Sequence, residues 1–403
     1  MLTYEQARKQ IIDQVGAQKR LRPKLSVTVW EALGFVLAQE VKTDREYPFF
    51  NRSTRDGYAV KATDAVAATT LQCVGEIKAG DTVREALAPG TCVQIMTGAA
   101  VPAGADAVVM IEHTQREGDL VHFERAARSG QNIVLRGSEA GTGQTILKPG
   151  ARLGYAELAL AAQVGAVELQ CAKKPRVAIL STGDEVVLVD ETPGKFQIRN
   201  SNSVSLAAQV RIAGGEPVIL GNAADDLDEL VAKIELGLNE DILVLSGGVS
   251  MGKYDLVETA LKELGTEFYF DAVAIRPGKP SVFGMCRGVP VFGLPGNPVS
   301  TMVTFELFVA PAIDLLSGAE ARPLPLLEAR LGEALQEKPG LAHFLPARVE
   351  WAGGTPIIKA LKWQGSGDVA ALARANCFLV IGAEREKIDA GENVFVLLRK
   401  DVI

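Results

Sequence analysis

The residues best suited to chemistry lie in Ser246-Gly247-Gly248-Val249-Ser250-Met251-Gly252-Lys253-Tyr254-Asp255, with two serines, three glycines, a lysine and an aspartate in ten positions. Glycines let a backbone approach an anion closely, and free N–H groups at a helix start point at it. Asp255 falls in the first turn of the helix expected next, where the helix dipole stabilises a carboxylate. The same carboxylate repels a bare phosphate. A divalent cation between them resolves the conflict, so these residues suit a phosphate with magnesium. Two other readings stay open. Gly247, Gly252 and Lys253 fit the start of a P-loop, but Tyr254 stands where that motif needs Ser or Thr. A strand-to-helix turn with glycines for packing alone needs no ligand.

Such a turn must be held by a strand and a helix. The apolar run 242–245 reads as a strand buried on both faces. Leu256, Val257, Ala260, Leu261 and Leu264 recur at helical spacing after it. From Arg176 to about Leu316 strands are expected at 176–180, 217–220, 242–245, 267–273, 281–285 and 290–293. Helices are expected at 202–213, 226–238, 254–264 and 298–316. Alternation of this kind predicts an α/β domain with a mainly parallel sheet. Loops at the carboxyl ends of parallel strands share one edge. The glycine turn, Ser181-Thr182-Gly183-Asp184-Glu185 and Gly293-Leu294-Pro295-Gly296-Asn297-Pro298 should therefore converge. Asn200-Ser201-Asn202-Ser203 offers helix N-caps. Arg276-Pro277-Gly278-Lys279-Pro280 is a rigid turn with two cations that can join them.

The flanks differ in texture. Thr3 with Gln6, and Thr28 with Glu31, read as capping boxes. The second predicts a helix over about 29–40 that buries Trp30, Leu33, Val36 and Leu37. Short β-type runs at 58–60, 71–77, 92–96, 106–111 and 119–123 predict a small β domain. A helix is expected at 155–163, packed with the N-terminal helices, so that the β domain is an insertion. Residues after Pro323-Leu324-Pro325 read as a second β domain, a barrel or sandwich.

Bulk properties narrow the function classes. The chain has 403 residues, 47% of them hydrophobic and 23% charged, which predicts several globular domains. A net charge of −7 argues against general nucleic-acid affinity. The five scattered cysteines read as reduced core thiols of a cytoplasmic protein. Three histidines make a zinc cluster implausible. No signal peptide and no membrane-spanning run is expected.

Taken together, the segments resemble the molybdopterin molybdenumtransferases, molybdenum insertases related to the C-terminal domain of gephyrin. The resemblance runs in order through Asp56-Gly57-Tyr58-Ala59-Val60, Ile95-Met96-Thr97-Gly98-Ala99, Gln131-Asn132-Ile133, Arg136-Gly137, Ser181–Glu185, Ser246–Ser250, Pro277–Pro280 and Gly293–Ser300. It implies a helical linker domain from residues 1–41 and 142–173, an inserted β domain at 42–141, an α/β molybdopterin-binding domain at 174–322, and a β barrel at 323–403. It also implies a homodimer with its cleft between the α/β domain of one subunit and the β domain of the other. The family takes molybdate and adenylylated molybdopterin, with magnesium, and releases AMP. Its catalytic residues fall on Asp56, Thr97, Glu185, Asp255 and Lys279, and its metal-holding acids on Asp255 and Glu185. Binding positions fall on Ser181, Thr182, Gly183, Ser246, Gly247, Gly248, Ser250, Arg276, Pro295, Pro298 and Ser366. The implied partners are a molybdopterin-adenylylating enzyme and acceptor molybdoenzymes, with neither nucleic acid nor membrane. Arg52, Thr54, Arg55 and Arg276 depart from the family's usual residues. Two alternatives remain: adenylylation of molybdopterin, and a gephyrin-like scaffold without catalysis.

Overall fold

The structure is a computed structural model and describes residues 1–18, 23–83, 85–248 and 256–402. Ser250 and Asp255, with the Gly252-Lys253 pair, lie outside the described residues.

The central sheet explains how the site loops come together. Its strands run in the order Glu216–Ala223, Arg176–Thr182, Ile242–Ser246, Val289–Leu294, Val282–Cys286, Glu267–Phe270. The first four are parallel neighbours and the last two join antiparallel. Alternation within each strand sends side chains to two cores. Val177, Ile179, Ile242, Val244, Phe292 and Leu294 enter one. Ala178, Leu180, Leu243, Leu245 and Val291 enter the other. Helices Leu227–Gly237 and Leu256–Glu263 cover the second core with Leu230, Ile234, Val257, Ala260 and Leu261. Helices Ser201–Ala213 and Pro298–Thr304 cover the first. The latter continues through a π-helical turn, Phe305–Val309, into Ala310–Leu316. The whole stretch Pro298–Leu316 is long and apolar enough to cross a membrane, which corrects the expectation that no run reaches that length. It is a core helix here, with 83% of its apolar window buried.

The N-terminal helix Tyr4–Gly16 has the Thr3–Gln6 capping box and buries Ala7, Ile11 and Val15 in the same core as Val309 and Ile313. The helix expected over 29–40 does not form. Lys24–Thr28 is a strand paired antiparallel with Glu168–Ala172. After it the chain turns at Gly34 (φ +78°) and makes bridges Val36 to Arg152 and Leu37 to Cys171. Thr28 donates its hydroxyl to the Glu31 carboxylate, so a single turn is closed and no helix is started. Val36 and Leu37 are buried as expected, but Trp30 is 91% and Leu33 63% exposed. Helix Tyr155–Gln163 packs over this strand-based body through Ala161.

The segment between Val41–Lys42 and Thr145–Leu147, themselves paired, forms a separate six-stranded sheet. Its order is Ala107–Met110, Gly57–Val60, Thr91–Ile95, Thr69–Ile77, Leu120–Phe123, Thr114–Glu117. At the C-terminus Ala342–Ala352, Thr355–Ala360, Leu326–Leu331, Asn393–Leu398 and Cys377–Ile381 close into a five-stranded barrel. Ile275–Arg276 adds to its Ala342–Ala352 strand in parallel, which ties the basic loop to the barrel. All five cysteines are buried and free.

Candidate active site

In the central sheet, the chain steps from Arg176–Thr182 outward to Glu216–Ala223, then returns to the other side at Ile242–Ser246. That reversal opens a crevice at the strand ends, where open α/β sheets bind ligands. A cavity of about 420 Å³ lies there. It is lined by Ser181, Thr182, Glu185, Ser246, Gly247, Gly248, Pro295 and Pro298 among the expected residues. Pro280 brings the edge of the basic loop to the same cavity. The three loops expected to converge do so.

Both glycines of the turn are needed by geometry. Gly247 and Gly248 have φ of +98° and +63°. A Cβ on Gly248 would lie 2.7 Å from both Thr182 Oγ1 and Val257 Cγ2, and one on Gly247 2.8 Å from the Thr182 carbonyl. Close packing against the Thr182 strand end is therefore built into the turn. The Gly247 N–H donates to Leu294, which sets the glycine turn beside the proline turn. In the latter, Pro298 opens its helix and the Asn297 side chain makes no cap hydrogen bond. The Thr301 hydroxyl donates to the Pro295 carbonyl at 2.5 Å. Ser366, from the C-terminal domain, accepts from the Val299 N–H at 2.9 Å through its carbonyl.

The buried polar groups divide into spent and unspent. Ser181 Oγ is used: it bonds Ser203 Oγ at 2.9 Å and donates to Asn200 Oδ1 at 3.2 Å. Asn200 in turn caps its helix by accepting from the Ser203 N–H. Among the described residues, Thr182 Oγ1 and Asn202 Oδ1 are buried without a hydrogen-bond partner. Asn202, expected only as part of a capping segment, also joins two loops. Its Nδ2 donates to Ser246 Oγ at 2.9 Å and to the Gly296 carbonyl at 2.7 Å. The Asn-Ser-Asn-Ser run at a strand-to-helix junction was the available signal; the bridge itself depends on residues 44 and 94 positions away.

Gly183 has φ of +125°, and Glu185 folds its carboxylate over it. Asp184 accepts from the Asp225 N–H at 3.1 Å. Burial pushes the Asp225 carboxyl above its ordinary range, and the nearby charges of Asp184 and Glu185 add to the effect. Acidic charge thus gathers at one rim. Among the described residues, no three His, Cys, Asp or Glu side chains are arranged to hold an ion unaided.

Asp56, Thr97, Arg276, Lys279 and Gly183 do not line the cavity. Arg276 lies 3.8 Å from Glu337 of the C-terminal domain. Asp56 and Thr97 form their own unit in the inserted β domain. Asp56 Oδ1 accepts from the Thr97 N–H at 2.6 Å and from its hydroxyl at 2.8 Å. These two bonds hold the Asp56 carboxyl below the usual carboxylate range.

A switch-point cavity with a glycine turn, helix starts and an acidic rim defines a binding fold for phosphorylated cofactors. Three family models match the chain: MoeA N-terminal region (domain I and II) at residues 2–165, probable molybdopterin binding domain at 178–315, and MoeA C-terminal region (domain IV) at 328–398. The molybdopterin molybdenumtransferase of Bacillus subtilis (strain 168) is 34% identical over 385 residues, covering 93% of this chain and 90% of that protein. That of Staphylococcus aureus (strain MRSA252) is 30% identical over 396 residues, covering 97% and 94%. The structure of the molybdopterin biosynthesis MoeA protein from Pyrococcus horikoshii OT3 aligns with a TM-score of 0.78 at 29% identity, over 99% of this chain and 100% of that one. The chain belongs to the MoeA family of molybdopterin molybdenumtransferases.

Proposed function

We propose that this protein inserts molybdenum from molybdate into adenylylated molybdopterin and releases AMP. The observation that carries the reading is the convergence of the Thr182–Glu185, Ser246–Gly248 and Pro295–Pro298 loops on one cavity, in a chain that matches named molybdenumtransferases over 93–97% of its length. Oriented N–H groups at the Ser201–Ala213 helix start suit the ligand's phosphates. Lys279 and Arg276 lie on the loop that ends at Pro280, and offset anionic charge from there. A magnesium ion, held by Glu185 and Asp255 and completed by ligand phosphates, would polarise the phosphoanhydride. The raised carboxyl of Asp225, crowded by Asp184 and Glu185, supports an acidic rim that gains from a cation.

Asp56, kept ionised by Thr97, acts on the molybdate side as a proton acceptor or water-orienting group. The protein works as a homodimer in which the Asp56–Thr97 unit of one chain faces the cavity of the other. Two observations support that arrangement: the unit does not line the cavity of its own chain, and Ile198, on the cavity wall, is 59% exposed with Phe196 nearby at 83%. The five buried free thiols support a cytoplasmic setting.

A time course of AMP release from adenylylated molybdopterin, with and without molybdate, is the deciding experiment. Molybdate-dependent release is expected; formation of the adenylate from ATP and molybdopterin instead would move the protein to the adenylylating class. Asp255→Asn should nearly abolish release. Asp56→Ala should keep pterin binding but lower molybdenum insertion by about 100-fold or more.

A further inference from the structure

Among the described residues, the cavity wall carries one acid and one cation, Glu185 and Arg199. The basic loop reaches that wall only through Pro280, and its Arg276 lies toward Glu337. Glu185 and Arg199 are held by one short ladder. Val186–Val187 pairs in parallel with Ile198–Arg199, and the Ile198 N–H donates to the Glu185 carbonyl at 2.8 Å. Val187 stands opposite Arg199, so the acid and the cation are offset by two positions, about 7 Å along the strands. Arg199 is exposed, and ligand can reach it. Its Nε donates to the Glu191 carbonyl at 3.1 Å. That bond steadies the side chain and leaves both terminal nitrogens without an acceptor among the described residues. The next residue, Asn200, caps the helix Ser201–Ala213 and takes up the Ser203 N–H. The Ser201 and Asn202 N–H groups remain open, and both residues line the cavity. A cation beside the positive end of a helix is disfavoured by charge. An anion between them reverses that. A guanidinium presents two parallel N–H donors that match two oxygens of a phosphate.

We propose that Arg199 is a further binding residue, which holds a phosphate of the ligand through its terminal nitrogens, while Glu185 on the same ladder faces the cation. The inference rests on the function proposed above for the identity of that phosphate. Adenylylated molybdopterin carries two, one from the adenylate and one from the pterin side. The shared chemistry is a phosphate oxyanion.

Calorimetric titration of the full chain tests this with AMP, adenosine, 6-hydroxymethylpterin phosphate, 6-hydroxymethylpterin and molybdate. Arg199→Gln should weaken a phosphorylated probe by about 10-fold and leave its unphosphorylated counterpart within about twofold. Loss for AMP assigns the adenylate phosphate to Arg199. Loss for the pterin phosphate assigns the other, and loss for both assigns a site that takes either. Arg199→Lys keeps the charge without the fork, and should weaken the same probe by a smaller factor. Equal weakening of the phosphorylated and unphosphorylated probes means a distorted wall. Unchanged phosphate binding in both variants means no contact, and loss confined to molybdate gives Arg199 a different anion. Each of these three results overturns the proposal. Arg199 is exposed, so both unliganded variants should melt with the wild type; should the glutamine variant not fold, the comparison of AMP with adenosine in the lysine variant decides. The function is tested separately. Wild-type protein that loses phosphate binding with Arg199 but releases no AMP from adenylylated molybdopterin refutes the function and leaves the phosphate contact standing.

Discussion

Gly248 carries the tightest constraint in the cavity wall. Its left-handed φ and the 2.7 Å approaches to Thr182 and Val257 leave no room for a methyl group. Gly248→Ala should cost roughly 1–3 kcal/mol in backbone strain alone and lose AMP release with it; a variant with wild-type melting and turnover would show that the turn relaxes freely. Asp225 makes an opposite prediction. Its pKa is raised in the fold above the ordinary 3.8, so its charged form opposes folding. That cost is absent below the unfolded pKa and grows as pH rises through the folded one. Asp225→Asn should therefore melt higher than wild type at about pH 7, with the gain vanishing below about pH 4. An equal gain at both pH values would exclude charge as the cause. Magnesium should also raise the wild-type melting temperature, and Glu185→Gln should reduce that shift. The glycine turn and Glu185 were legible as chemistry because their residue types are unusual at a strand end. The orphaned oxygen of Asn202 was not, because an unpaired atom is defined by what fails to surround it.

Among the elements, the helix Pro298–Leu316 shows how distant segments are held to one core. Its π-helical turn contains Leu307, whose carbonyl accepts from Arg8 Nη1 at 2.9 Å. About two turns further, Asp314 is 2% exposed and receives Arg152 at 2.8 Å and Arg322 at 2.7 Å. Arg152 comes from the strand-based N-terminal body, so the carboxylate joins that body to the central one. Asp314→Ala leaves two guanidiniums facing each other and should destabilise by about 3–5 kcal/mol in chemical denaturation. Loss below about 1 kcal/mol would mean that water replaces the carboxylate. The long helix was legible from Pro298 at its first position and from the strand–helix alternation, though its apolar length was not, and the alternating strands were legible from their runs. No helix forms over 29–40, although Trp30, Leu33 and Leu37 imitate helical spacing. Gly34 and the bridges to Arg152 and Cys171 decide the backbone there instead.

For the whole molecule, the sharpest prediction concerns the division of one site between two chains. Neither Asp56→Ala nor Glu185→Ala homodimers should insert molybdenum. Co-expressed hybrids should regain part of the activity, because one of their two clefts then carries both intact acids. No recovery in purified hybrids would place both acids in a single-chain site and sink the shared cleft. The sequence by itself determined the strand and loop order, the glycine and proline turns, and the grouping of acids and hydroxyls at strand ends. These follow from local periodicity and residue type. Only the tertiary structure decided that Ser181 is consumed by a helix cap, that Asn202 ties two loops and leaves an oxygen unpaired, and that the Asp56–Thr97 unit lies off its own chain's cavity. Each depends on distances between residues far apart in the chain, which local pattern does not encode.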